Sequence, residues 1–395
     1  MQRKHAPDLQ DVLRPQARGL KESGIVRAMN YGRGKPGLIP LWTGEGDVPT
    51  PAFLGDAAHR SMLAGETFYT YQRGIPELRA AISDYYRRLR GLDIPSDRIF
   101  VTGSGMQAIQ IAVQAIAGIG DEVVIPTPAW PNCAAALELL GATVVPIPFD
   151  FAADGWRLQL DRVMAACGAR TRAIYINSPA NPTGWVMSGE ERGALLSFAR
   201  ERGLWIIADD VYERFNYASD GPAPSFIDIA APEDRLLVIN TFSKNWSMTG
   251  WRMGWLLAPA ALGQLIENLI QYNTSGVAVF MQRAGIEAIE KGEAFATEQV
   301  ARARAGRDVV CEQLGRSNRI RFAKPDGAFY LLFAIDGHED TDALALRLID
   351  EAGIGLAPGT AFGRGGKRFM RLCFARSPDS LSQAAERLLR WVESN

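Results

Sequence analysis

Two patterns of apolar residues alternate along the first two thirds of the chain. Short, continuously apolar runs rich in β-branched residues occur at 98–102, 122–126, 143–147, 171–176, 204–208, 235–240 and 251–257. Segments with helical spacing precede these runs or lie between them, at 51–65, 76–90, 105–117, 131–140, 158–166 and 188–202. Strands without a polar face need cover on both sides, and helices between the strands of a parallel sheet provide it. The pattern therefore predicts an α/β fold with a mostly parallel sheet flanked by helices.

The rest of the chain has a different order of elements. A long helical region at about 260–315 is followed by a strand at 327–333 and a helix near 341–352. A second strand at 369–374 and a helix after Ser377 come next. This order predicts a smaller α+β domain.

We expect three parts in the chain, although no repeat, low-complexity tract or Ser/Pro-rich linker separates them. Residues 1–45 would form an N-terminal arm and part of the small domain. Residues 46–290 would form the large domain, and residues 291–395 the small α+β domain.

The charge balance is close to neutral. The 395 residues include 43 Lys and Arg against 44 Asp and Glu, a net charge of -1, with no dense basic block. This charge pattern gives no electrostatic indication of binding to nucleic acid or to an acidic membrane surface, and neither partner is favoured. The uncharged stretch Ile99–Gly120 is long enough to span a bilayer, but it places Gln107, Gln110 and Gln114 on one helical face. We therefore expect no membrane span and no nucleic-acid partner.

Cysteine, histidine and the N-terminal sequence bear on compartment and metals. The first 24 residues carry charges and no apolar core, unlike a secretory signal. The four cysteines lie far apart and there are only three histidines, so neither a disulfide framework nor a zinc site is indicated. We expect a cytoplasmic protein without a metal.

A glycine motif at 103–108 follows one predicted strand and opens a predicted helix, as in the G-x-G-x-x-G/A dinucleotide motif. That motif needs an acid at the end of the next strand, but Asp121 and Glu122 stand at its start. The nicotinamide-dehydrogenase interpretation therefore fails. Small residues at a helix start still predict a phosphate site, with a tight turn as the alternative. Its donors would be Ser104, Gly105 and Met106.

Lys244 follows the apolar run 235–240 and is one of only seven lysines among the 43 basic residues. Hydroxyl and aromatic side chains flank it, and no acid is adjacent in sequence. Under these conditions an amine can lose its proton and act as a nucleophile. The alternative is a lysine whose stem packs while its ammonium group reaches water.

The segment from Ser243 to Gly254, S-K-x-W-x-M-x-G-x-R-x-G, resembles the motif of fold-type I pyridoxal-phosphate enzymes, in particular the class I/II aminotransferases such as aspartate aminotransferase. Five further segments resemble family motifs and occur in the family's order: 41–47 (LWTGEGD), 69–79 (YTYQRGIPELR), 177–184 (NSPANPTG), 208–212 (ADDVY) and 371–374 (RLCF).

The resemblance implies a pyridoxal-phosphate-dependent aminotransferase that moves the amino group of an L-amino acid to a 2-oxo acid by a ping-pong mechanism. Lys244 would form the aldimine with the cofactor and then carry the proton from Cα. Asp209 would keep the ring nitrogen protonated. Tyr212 and Asn181 would donate hydrogen bonds to the phenolic oxygen, and Trp130 would stack on the ring.

The resemblance also implies which residues bind the cofactor phosphate and which bind the substrate carboxylate. The phosphate would bind Ser104, Gly105, Met106, Thr241, Ser243, Arg252 and, from the second subunit of a homodimer, Tyr69. The substrate carboxylate would bind Gly44, Asn181 and Arg371. Simpler structural roles are a turn or helix cap for Asp209, an Asx turn for Asn181 and a core position for Trp130.

Two other functions remain open for this scaffold. A β-eliminating C–S lyase or an aminocyclopropane-carboxylate synthase would use the same residues and break a different bond. A ligand-sensing domain of a DNA-binding regulator would not turn over substrate, but the roughly 40 residues before the first match are short for a winged-helix module. Nearby aromatic residues suggest a pocket not built mainly for a second carboxylate, and the substrate stays open.

Overall fold

The computed structural model describes residues 9–152 and 154–395. Its largest sheet has seven strands, which we number in chain order: β1 Ile99–Thr102, β2 Glu122–Thr127, β3 Thr143–Pro148, β4 Thr171–Asn177, β5 Trp205–Asp209, β6 Leu236–Thr241 and β7 Gly254–Leu257. The spatial order is β1-β7-β6-β5-β4-β2-β3. β7 runs antiparallel to both of its neighbours, β1 and β6, and the other neighbouring pairs are parallel. The predicted, mostly parallel sheet is confirmed.

Alternate residues of these strands point to two separate apolar layers. Val124 and Ile174 pack on one face, whereas Val123 and Ala173 pack on the other. The first layer is covered by helices Ala52–Leu63, Pro76–Arg90, Leu160–Ala165, Gly189–Arg202 and Val279–Lys291. The second is covered by helices Gly105–Ile116, Asn132–Leu140 and Gly263–Asn273. Helices cover both faces of the inner strands, which therefore have no polar face, as the sequence pattern predicts, whereas the edge strand β3 is largely exposed or half-buried.

A second, four-stranded sheet follows in sequence. Its antiparallel strands, in spatial order, are Ile320–Phe322, Tyr330–Ile335, Met370–Cys373 and Ala357–Pro358. Helices Glu293–Leu314, Thr341–Arg347 and Pro378–Ser394 pack with it in one apolar cluster. The helix expected to extend to residue 352 is α-helical only to Arg347 and continues as a π-helical turn at Leu348–Ala352.

The N-terminal segment contacts this smaller sheet region. After the short helices Pro15–Arg18 and Gly24–Gly32, residues Ile39–Pro40 pair in parallel with Ile354–Gly355. The expected boundaries after residues 45 and 290 stay predictions, and residues 1–8 of the expected arm lie outside the described residues. A short hairpin joins Asp150–Ala152 to Gly155–Arg157.

Three neighbouring parallel strands end at the same edge of the large sheet and bring polar side chains together. Asn177 at the end of β4 pairs in register with Asp209 at the end of β5, and β6 ends at Thr241. Ligands of open α/β sheets bind at this carboxyl edge. Among the described residues, no helix is both long and apolar enough to cross a membrane.

Candidate active site

A cavity of about 300 Å³ opens at the carboxyl edge of β4, β5 and β6 and extends to the four-stranded sheet. Most of the predicted site residues line it: Gly44, Gly105, Met106, Trp130, Asn181, Asp209, Tyr212, Thr241, Ser243, Lys244, Arg252 and Arg371. Ser104 lies directly behind the lining as the cap of helix Gly105–Ile116. Tyr69 is 94% exposed and does not line the cavity of its own chain.

Lys244 lies on a single helical turn, Phe242–Asn245, that starts where β6 ends. Its Nζ atom donates a hydrogen bond to the carbonyl oxygen of Gly44 at 2.8 Å and lies 5.7 Å from the centre of the Tyr212 ring. Burial of the amino group lowers the pKa of Lys244 from 10.5 to about 8. The neutral, nucleophilic form of this amine is therefore far more populated near neutral pH than it is for an ordinary lysine.

Asp209 is the last residue of β5 and is 2% exposed. Tyr175 donates a hydrogen bond from its hydroxyl to Oδ2 of Asp209 at 2.5 Å, and the Val211 N–H donates to Oδ1 at 3.4 Å. Burial raises the pKa of Asp209 to about 6, and both hydrogen bonds oppose that rise. Its neighbour Asp210 accepts a hydrogen bond from the Ser225 hydroxyl and does not line the cavity.

Donors for an anion surround the start of helix Gly105–Ile116. The Ser104 hydroxyl caps this helix by accepting a hydrogen bond from the Gln107 N–H at 3.0 Å. Thr241 donates from its hydroxyl to that of Ser243 at 2.9 Å, and Arg252 lines the same end of the cavity. A Cβ atom at Gly254 would lie 2.6 Å from the Gly105 nitrogen. The close backbone approach therefore depends on glycine, and the donors suit a phosphate.

Arg371 reaches the opposite end of the cavity from the four-stranded sheet. It is 2% exposed, and it donates to Oδ1 of Asn181 at 3.0 Å and to the carbonyl oxygen of Trp42. Its Nε atom is buried without a hydrogen-bond partner among the described residues. A planar guanidinium held in this way can bind a carboxylate through two oxygens.

Three residues that the sequence did not single out complete the site. Tyr175 bonds Asp209, and Asn177 donates from Nδ2 to the Asp209 carbonyl at 2.9 Å. The hydroxyls of Tyr330 and Tyr212 are 2.7 Å apart. Asn177 lay inside a matched motif, but the two tyrosines are strand residues in apolar runs. Their position beside the site depends on strand pairing, which the sequence does not display.

The side chains fit the cofactor that the resemblance implies. Lys244 provides the amine for its aldehyde, Asp209 a buried carboxylate for its ring nitrogen, and the Gly105 and Arg252 region donors for its phosphate. Burial also raises the pKa of Tyr212 above its ordinary value, so its phenol is a hydrogen-bond donor at neutral pH. Within residues 9–152 and 154–395, no cluster of three His, Cys, Asp or Glu side chains could hold a metal ion.

The structure also agrees with the rejection of a dinucleotide site. Glu122 begins β2 and pairs with Thr171 at the start of β4, at the amino edge of the sheet. The glycine turn before helix Gly105–Ile116 lies at the carboxyl edge. Asp121 and Glu122 therefore stand at the wrong edge to bind a ribose beside that turn.

Known proteins resemble the chain over nearly its whole length. A sequence model of the family "Aminotransferase class I and II" matches residues 37–388. An aspartate aminotransferase from Pyrococcus horikoshii is 33% identical over 383 residues, 95% of each chain. An arginine–pyruvate transaminase from Pseudomonas aeruginosa is 34% identical over 354 residues, 89% of each chain. The solved structure of an aspartate aminotransferase from Thermotoga maritima has a TM-score of 0.89 at 32% identity, covering 96% of this chain and 100% of that one.

These similarities confirm the fold-type I resemblance and its cofactor. The relatives are aminotransferases by name, so the lyase, synthase and regulator alternatives are not favoured. The chain belongs to the class I and II aminotransferases, pyridoxal-phosphate-dependent enzymes that transfer the amino group of an amino acid to a 2-oxo acid.

Proposed function

We propose that the cavity residues divide the transamination reaction among themselves as follows. Lys244 holds the cofactor and moves the Cα proton, Arg371 binds the α-carboxylate, and Asp209 faces the ring nitrogen. The observation that carries the proposal is the Lys244 amine, whose pKa is lowered to about 8, in one cavity with Asp209 and Arg371. Ping-pong turnover uses this one site for both half-reactions.

When bound, pyridoxal phosphate supplies an aldehyde that accepts the amino group and a ring that withdraws the electrons of the Cα–H bond. The chain's own residues then decide which bond reacts. Arg371 and the backbone at Gly44 fix the carboxylate, which orients Cα toward the Lys244 amine. Asn181 and Tyr212 supply polar groups at the cavity wall, and Trp130 provides an aromatic face. Gly105, Met106, Thr241, Ser243 and Arg252 hold the phosphate end, with Ser104 capping the helix behind them.

A chemical label tests the role of Lys244. Borohydride reduction of the holoenzyme followed by peptide mass mapping should place the phosphopyridoxyl group on Lys244. The Lys244→Ala variant is the matched control and should carry no label. A label on another lysine in the parent enzyme would overturn the assignment.

A panel of single amino acids tests the reaction type and identifies the donor. A donor should convert the yellow cofactor to its colourless amine form without free ammonia, and a 2-oxo acid should restore the yellow form. Release of ammonia and pyruvate would instead indicate β-elimination.

Exposed aromatic residues support a homodimer. Phe68, Tyr69 and Tyr71 are 83%, 94% and 62% exposed in the single chain. Exposure of three neighbouring aromatic rings to water is unfavourable, and a second copy of the chain would remove it by covering them. We place Tyr69 at the phosphate end of the partner chain's cavity. Light scattering during size-exclusion chromatography measures the mass of the assembly.

Mixing two inactive variants tests the exchange of Tyr69. A hybrid of Lys244→Ala and Tyr69→Ala chains has one intact site if Tyr69 serves the other subunit, because Lys244 and Tyr69 of that site come from different chains. Activity should therefore return after mixing. If Tyr69 acts within its own chain, neither site is intact and activity stays absent.

We also assign the protein to the cytoplasm. The four cysteines, Cys133, Cys167, Cys311 and Cys373, are all free thiols, as in a reducing compartment. Fractionation of the producing cells tests this location, and recovery in a secreted or membrane fraction would contradict it.

A further inference from the structure

Tyr175 and Asp209 lie on neighbouring parallel strands and share one face of the large sheet. Tyr175 of β4 is in register with Ile207 of β5, and Asp209 follows Ile207 by two residues, so both side chains point to the same side. The Tyr175 hydroxyl donates to Oδ2 of Asp209 at 2.5 Å. The two residues are 1% and 2% exposed, so water does not compete for this bond.

The surroundings of Asp209 make this hydrogen bond important. The other contact to its carboxylate is the long one from the Val211 N–H at 3.4 Å. The titratable groups that face Asp209 are Cys133 from helix Asn132–Leu140, Tyr175 from β4, Tyr212 and Lys244. Within the described part of the chain, Lys244 is the one cation among them. Burial without other charge-assisted bonds favours the protonated acid, which a hydroxyl donor opposes.

Packing alone does not explain a tyrosine at this buried position. Burying a hydroxyl costs free energy unless it is hydrogen-bonded, and a phenylalanine would fill nearly the same space without that need. In the described chain, the Tyr175 hydroxyl bonds Asp209 alone. The hydroxyl therefore has a partner that belongs to the active site and no second hydrogen-bond partner among the described residues.

We propose that Tyr175 is a positioning residue for transamination that acts through Asp209. Its hydroxyl fixes Oδ2, keeps the carboxylate ionised and leaves the rest of that carboxylate to face the cavity. The inference rests on the proposed role of Asp209 toward the ring nitrogen of the cofactor. Tyr175 itself does not line the cavity and needs no contact with substrate.

The variant Tyr175→Phe removes the hydroxyl and keeps the ring. In the apoenzyme, isotope-edited infrared spectra of ¹³C-labelled aspartate, with Asp209→Asn used to assign the band, should show Asp209 protonating at higher pH. Titration of the apoenzyme with pyridoxal phosphate should show an affinity about tenfold lower, the typical effect of losing one charge-assisted hydrogen bond. Both readouts are independent of turnover.

Tyr86→Phe is the matched control. Tyr86 is also 1% exposed, its hydroxyl accepts a hydrogen bond from Nε1 of Trp255 at 3.1 Å, and it lies outside the cavity. Its loss should leave the Asp209 titration and the cofactor affinity unchanged. Equal effects from the two variants would reduce Tyr175 to a core residue and overturn the proposal.

A double variant tests whether Tyr175 acts through Asp209. In the Asp209→Asn background, Tyr175→Phe should have no further effect on cofactor affinity, because the carboxylate it serves is gone. An undiminished effect, or an unaltered Asp209 titration in Tyr175→Phe, would refute the inference. Borohydride labelling of Lys244 in the parent enzyme distinguishes failure of the proposed function from failure of the inference about Tyr175. If Lys244 carries no label, the proposed function fails. If Lys244 is labelled, the experiments above test the role of Tyr175 alone.

Discussion

Arg371 donates a hydrogen bond from Nη1 to Oδ1 of Asn181 at 3.0 Å, and this bond joins the two sheets across the cavity. Arg371 belongs to strand Met370–Cys373 of the smaller sheet, whereas Asn181 lies in the turn after β4 of the larger one. The Asn181 N–H in turn donates a hydrogen bond to Oδ1 of Asn177 at 2.7 Å. Asn177 donates from Nδ2 to the carbonyl oxygen of Asp209, the last residue of β5. The orientation of the guanidinium is therefore set by the protein before substrate binds.

Arg371→Lys should raise KM for the amino-acid donor by about 100-fold, because an ammonium group cannot keep both protein acceptors and bind a carboxylate through two oxygens. Steady-state kinetics with the best donor of the panel measure the change. Arg368→Lys, three residues earlier at an exposed position, should leave KM unchanged. A KM for Arg371→Lys within about twofold of the parent value would argue against a carboxylate clamp.

The rate at which the apoenzyme captures pyridoxal phosphate should rise as pH increases through about 8. Burial lowers the pKa of Lys244, so the protonated amine dominates below that pH and the neutral nucleophile above it. Stopped-flow absorbance follows the capture. A rate that rises only near the ordinary lysine value of 10.5 would contradict the assignment. Lys244→Arg keeps the positive charge and should capture no cofactor.

The fold could be predicted from the sequence except for strand direction. Continuous apolar runs separated by helices require a covered sheet. The apolar pattern of a strand does not show whether that strand is parallel or antiparallel to its neighbours. β7 is antiparallel to β6 because the connection at 242–253 holds only the short turn Phe242–Asn245 and a 3₁₀ turn at Thr249–Trp251. A parallel return usually needs a full crossover helix, and neither of these short turns provides one. The lack of a crossover helix between β6 and β7 is therefore the feature of the sequence that indicates an antiparallel β7.

The position of Lys244 and Asp209 in the cavity was predictable, because each belongs to a local sequence motif. A position that depends on contacts between distant segments was not predictable. Tyr330 comes close to the site only because its strand pairs with Met370–Cys373. Tyr69 is 94% exposed in the single chain, so its proposed role depends on a second copy of the chain.

Gly44→Ala should lower kcat by about tenfold or more, because a buried side chain would have to move to remove the clash. The added Cβ atom would lie 2.0 Å from the Tyr330 hydroxyl, which is 2.7 Å from that of Tyr212. Steady-state kinetics measure the loss. The control is Gly55→Ala in helix Ala52–Leu63, where a Cβ atom meets nothing within 4 Å.

Gly55→Ala should keep full activity and raise the free energy of unfolding by about 0.5–1 kcal/mol, since alanine favours the helix. Chemical denaturation measures that gain. Unchanged kcat in Gly44→Ala would show that the Tyr212–Tyr330 pair moves without consequence for the reaction.

Glu213→Ala should lower the free energy of unfolding by about 3–5 kcal/mol, because it leaves a buried arginine without its main partner. Arg90 and Glu213 have side chains only 3% and 2% exposed, and Arg90 donates from Nη2 to Oε2 of Glu213 at 2.6 Å. Oε1 of Glu213 also accepts hydrogen bonds from Asn240 at 2.6 Å and Tyr85 at 3.0 Å. All these donors lose their acceptor together, and Arg90 keeps the Asp228 carboxylate and the Ala223 carbonyl oxygen as acceptors.

Chemical denaturation of the apoenzyme measures this loss, with Glu312→Ala as the control. Glu312 pairs with Arg316 at 3.2 Å, but the two side chains are 76% and 66% exposed, so water replaces the lost contact and stability should not change measurably. Asn240 directly precedes Thr241 at the phosphate end of the cavity, so Glu213→Ala should also weaken cofactor binding. Equal stability of the two variants would show that the buried pair is no stronger than a solvated one.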